Sequence, residues 1–140
     1  WLEEQELERR LTHEYVHVVV RYITGANVPW WLNEGLAEFM SKTLSTGDIQ
    51  QLRDYFGAGN TLSLKAIEDN QINQRAPAAL QSAYIQSHAV VELLWNRYGR
   101  TKMLAFLRSL GNGMGYEDAM QAVYRRSSAL IERDLVGYYR

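Results

Sequence analysis

The chain has 140 residues, 46% of them hydrophobic and 22% charged, with a formal net charge of −1. That length suits one soluble globular domain with a core of its own. The interspersed charges exclude a basic stripe for nucleic acid or a membrane surface, and no apolar run reaches the roughly 18 residues of a membrane span.

Cysteine is absent, so disulfides and thiolate metal ligands are excluded and any metal must be held by His, Glu or Asp. The opening Trp1-Leu2-Glu3-Glu4 enters a helical pattern directly, with no initiator methionine and no secretory pattern, which reads as a piece of something longer.

In chain order, the first element spans 2–23, with Leu7, Leu11, Tyr15, Val18 and Tyr22 at three- and four-residue intervals and acids near its start. This pattern predicts an amphipathic helix with Tyr15 and Tyr22 packed in the core. Gly25 suits a C-cap and Pro29 the opening of a second helix over 30–44. Gly47 and Asp48 restart a short helix over 49–56, and a single helical turn follows over 62–68. The polar stretch 69–75 reads as a mobile loop. A long helix over 78–98 stops at Gly99, and shorter ones follow over 101–110, 117–124 and 128–139. Residues 111–113 read as a hinge between the first two of these. Leu104, Phe106, Leu107, Leu110, Ala119, Met120 and Val123 stand at helical spacing and read as core. No alternating run of useful length occurs, so the expected fold is mainly α.

The chemistry starts at His13-Glu14-Tyr15-Val16-His17, an H-E-x-x-H pattern. Residues four apart on a helix lie nearly in line, so both imidazoles can reach one ion, while Glu14 stands beside it as a base. Alone, such a string is matched by many exposed helix faces. A catalytic zinc site also needs a third protein ligand and one open position. The second helix offers Glu34 and, four residues on, Glu38. Between them Gly35 removes a side chain where another helix or a metal could approach.

These residues, with Trp31-Leu32-Asn33-Glu34-Gly35-Leu36-Ala37-Glu38, resemble the gluzincin clan of zinc metallopeptidases, most closely its peptidase MA-like domain family, which is related to thermolysin and to the zinc aminopeptidases. The resemblance implies Zn2+ held by His13, His17 and Glu34, with Glu14 as general base and Glu38 orienting a ligand histidine, His13 being the expected one. It also implies a tight turn between His17 and Glu34. Tyr84 matches the tyrosine that stabilises the oxyanion in the related aminopeptidases. Read from the residues alone, Tyr84 is equally a partly buried aromatic, and His88, one turn later, is a competing donor.

The implied fold is the helical catalytic half of a gluzincin, a single domain over 1–140, with the β-sheet that usually precedes the H-E-x-x-H helix absent from this chain. The implied partner is a peptide or protein substrate, with no nucleic acid. The rival reading is a helical interaction module that keeps a structural or vestigial zinc site; an intact Glu14 speaks against it, since a structural site has no use for a base.

Overall fold

A computed structural model describes residues 1–69 and 76–140. The described residues are 81% helical and none of them is in a strand, as the periodicity predicts. The eight described helices are α1 (Leu2–Thr24), α2 (Trp30–Ser41), α3 (Thr46–Gly57), α4 (Leu64–Asp69), α5 (Pro77–Tyr98), α6 (Arg100–Gly111), α7 (Tyr116–Tyr124) and α8 (Ser128–Tyr139). Of the expected loop over 69–75, Asp69 closes α4 and the remainder lies outside the described residues.

Two boundaries differ from expectation for local reasons. Helix α2 ends at Ser41 rather than at 44, because Lys42 turns extended at φ −158°. Leu44 beyond it is buried all the same. Helix α3 begins at Thr46, before Gly47, because Ser45 and Asp48 form a capping box: the Ser45 hydroxyl accepts from the Asp48 backbone N–H, and the Asp48 carboxylate accepts from that of Ser45.

The pairing that positions the site is α1–α2–α5. Gly25 ends α1 in the left-handed conformation, φ 60°, with its N–H on the Arg21 carbonyl, and the chain reverses within a few residues. Asn27 clamps that turn, donating its side-chain amide to the carbonyls of Leu110 (2.8 Å) and Met114 (2.9 Å) far along the chain. The start of α2 is held by Glu68 of α4, whose carboxylate accepts the Trp31 N–H at 2.9 Å, in keeping with an acid at a helix N-terminus.

Helix α2 then packs most extensively against α5. At Gly35 the helices are so close that a Cβ would sit 2.5 Å from the Ser87 carbonyl oxygen and 2.7 Å from Val91 Cγ2. The residue thus admits a helix rather than a metal. Trp31, Leu32, Leu36, Ala89, Val90, Leu93, Phe106 and Met120 are fully or almost fully buried in the core that results. Each buried leucine contributes about 2 kcal/mol by its removal from water.

Helix α1 departs from expectation. Its predicted core stripe faces outward: Leu7, Leu11, Tyr15, Val18 and Tyr22 are 57%, 62%, 68%, 65% and 89% exposed. Tyr15 and Tyr22 are therefore not core residues. The side of α1 that packs carries Val16, Val20, Ile23 and Thr24 instead. Periodicity reports that a helix side is apolar; α1 has two such sides, and only one meets α2 and α6. Leu104 and Val123 are partly buried, while Phe106, Leu107, Leu110, Ala119 and Met120 are core.

Candidate metal centre

His13 and His17 project from consecutive turns of α1 toward α2, and their Nε2 atoms lie 3.0 Å apart with the rings edge to face. Together with Glu14 they bring three ligand atoms within 4.8 Å of one another. Glu34 comes closer still. Its Oε2 is 3.3 Å from Nε2 of both histidines. The tight reversal at Gly25 and the close α2–α5 crossing put it there, returning the second turn of α2 alongside the fourth and fifth turns of α1.

The outer nitrogens of both rings face oxygen. His17 Nδ1 donates to the Asn33 side-chain carbonyl at 2.7 Å, and the Glu38 carboxylate lies 3.4 Å from His13 Nδ1. An amide oxygen only accepts, so the His17 proton sits on Nδ1 and Nε2 presents a lone pair inward. The other Glu38 oxygen lies 3.4 Å from the ammonium of Lys42, just beyond the end of α2.

Two imidazole nitrogens and a carboxylate oxygen thus converge, and Glu34 Oε2 is fully buried without a hydrogen bond. Lone pairs at these separations repel one another unless a proton or a cation lies among them. Tetrahedral zinc with bonds of about 2.0–2.1 Å has ligand-to-ligand edges of about 3.3–3.4 Å. The observed 3.0–3.3 Å matches that shape, so the donor set fits a zinc ion.

Glu14 is exposed beside this cluster. It lines an open cleft of about 450 Å3 with His13, Glu38, Arg9, Arg10 and Lys42. Tyr84 enters from α5, half-buried, with its ring edge to face against Trp30 at 5.1 Å. Burial, and then the negative charges of Glu34 and Glu38, push its phenol above the ordinary tyrosine pKa. It therefore stays protonated at neutral pH. His88 is 1% exposed and packs against Phe39, with Nε2 buried and without a hydrogen bond. Burial holds it below the ordinary histidine pKa.

The structure thus gathers His13, His17, Glu34, Glu38 and Glu14, sets Tyr84 within the field of the two α2 carboxylates, and places His88 in the core. Asn33 is the participant that residue patterns missed. Its signal was available, because an amide directly before Glu34, on the helix facing the histidines, is an acceptor placed for an imidazole N–H.

Comparison with known proteins agrees with this architecture. The family model of the peptidase MA superfamily matches residues 5–135. Among curated proteins, an ATP-dependent helicase/nuclease subunit from Lactobacillus helveticus (strain DPC 4571) is 28% identical over 105 residues, 75% of this chain. The chain spans 8% of that protein's length. No solved structure matches the chain. With the family model covering nearly all of α1 through α8, including both helices that carry His13, His17 and Glu34, the chain belongs to the peptidase MA superfamily.

Proposed function

We propose that the chain is the catalytic domain of a zinc metallopeptidase that hydrolyses peptide bonds, with His13, His17 and Glu34 as the metal ligands. One observation carries this reading: two imidazole nitrogens and a buried Glu34 oxygen that has no hydrogen bond converge at zinc spacing. Bound zinc supplies an acidified water and a Lewis acid for the scissile carbonyl.

The chain's own residues supply the remainder. Asn33 and Glu38 hold the two imidazoles in the tautomer that faces inward. Glu14, exposed at the cleft and free of the ligand set, takes a proton from the attacking water on its carboxylate and passes it to the leaving amine. The Tyr84 phenol donates to the oxygen on which negative charge develops, and its raised pKa keeps it a donor throughout the neutral range. The open cleft beside Glu14 gives an extended peptide room to lie across the site.

The test is cleavage of a mixed peptide library by the zinc-loaded wild type and by Glu14→Gln, with zinc content measured for both. Loss of a general base is expected to cost about 10²- to 10⁴-fold in rate with zinc retained. Zinc-loaded proteins that are equally inert would overturn the peptidase reading and leave a structural zinc site.

A further inference from the structure

Helix α2 carries Trp30, Glu34 and Glu38 at four-residue intervals, so the three side chains form one row along the helix. Trp30 opens that row in the first turn, directly after Pro29, where the backbone is pinned by the Trp31 N–H bond to Glu68. Its indole meets the Tyr84 ring at 5.1 Å and 61°, an edge-to-face contact between α2 and α5. Trp30 is partly buried and packs against the core. Among the described residues no hydrogen bond holds the Tyr84 hydroxyl, which leaves the ring contact to set its direction.

We infer that Trp30 is a positioning residue: it fixes the Tyr84 ring to the helix that carries Glu34, so that the phenol stays in register with the metal cluster. This role rests on Tyr84 being the oxyanion donor of the proposed peptidase. Its physical basis is that donor and third ligand are then tied to one rigid element, one turn apart. Movement of α5 relative to α2 is resisted by the stacked pair, and the hydroxyl keeps its aim. A donor that must be placed to within a fraction of an ångström needs such a brace, because a small misplacement forfeits most of its effect.

The experiment has two independent arms. In the first, the Tyr84 ring protons, assigned with Tyr84→Phe, are followed by NMR. An edge-to-face indole shifts them, so Trp30→Ala is expected to return them toward unstacked values, while Trp30→Phe retains part of the shift. This readout needs neither zinc nor activity. In the second arm, peptide cleavage is measured for zinc-loaded Trp30→Ala, Trp30→Phe, Tyr84→Phe and the double variant Trp30→Ala/Tyr84→Phe. Trp30→Ala is expected to lower kcat about ten- to a hundredfold with KM and zinc content unchanged, and Trp30→Phe to restore most of the loss. In the Tyr84→Phe background the Trp30→Ala change is expected to have no further effect, since its action passes through the phenol.

Unshifted Tyr84 protons in Trp30→Ala, full activity of that variant, or additive losses in the double variant would each overturn the positioning role. An inactive wild type with the ring shift present would instead overturn the peptidase reading while leaving the brace itself standing.

Discussion

The two sides of α1 are made by the same 23 residues and meet opposite fates. One side carries His13 and His17 and is closed over by α2, with Glu34, Asn33 and Glu38 each within 2.7–3.4 Å of an imidazole nitrogen. The other carries Leu7, Leu11, Tyr15, Val18 and Tyr22, all more than half exposed. The histidines share the packed side with Val16 and Val20, while an equally apolar stripe on the opposite side is left bare. Helix α1 is therefore oriented by what α2 brings to it. The turn at Gly25 and the clamp at Asn27 bring Glu34, Asn33 and Glu38 to the two imidazoles.

The contrast between the two sides is tested most severely at the His13, His17 and Glu34 cluster. Glu34→Ala removes the carboxylate that touches both Nε2 atoms. Zinc affinity, read by competition with a chelator, should fall by well over the about hundredfold typical of losing an outer partner. Retained affinity would mean that the two histidines bind without α2. Gly35→Ala attacks the same arrangement from behind, because the new methyl meets the Ser87 carbonyl at 2.5 Å. Denaturant unfolding should show a loss of about 3 kcal/mol, outweighing the roughly 1 kcal/mol that alanine adds to helix propensity.

Asn33→Ala is milder. It leaves the ligands in place but frees the His17 ring to choose its tautomer, so zinc affinity should drop about ten- to a hundredfold, or about 1.4–2.7 kcal/mol. An unchanged affinity would show that the 2.7 Å contact does not orient the ligand. The bare side should respond least. Leu11→Gln and Tyr15→Gln together should change unfolding free energy by no more than about 0.5 kcal/mol per site, as for other exposed positions. A loss of several kcal/mol would show the stripe to be packed after all.

Much of this was legible in the residues. Helix periodicity located most of the elements, Gly25 and Gly99 marked two ends, and the ligand pattern His13, His17, Glu34 could be proposed from spacing and resemblance alone. Where reading failed, the cause was non-local. The stripe on α1 has the correct period for a core, and nothing within 2–24 distinguishes it from the Val16, Val20 and Ile23 side that α2 and α6 cover. The caps made by Glu68 and Glu132 were equally hidden: each carboxylate accepts a backbone N–H from a distant helix, at Trp31 and at Leu64. Glu132 accordingly sits where burial raises its pKa and the Leu64 N–H partly offsets the rise.

Sequence by itself determined the helical class, the order of the elements and the chemical types available at the site, because those follow from short-range periodicity and from having three histidines and no cysteine. Tertiary structure alone decided which side of α1 is buried, that Asn33 faces His17, that His88 is enclosed by the core while Tyr84 is not, and that Trp30 rests on Tyr84. Those outcomes depend on where one helix lands on another. That placement is set by close crossings such as Gly35 against Ser87, between residues far apart in the chain, and no local pattern encodes it.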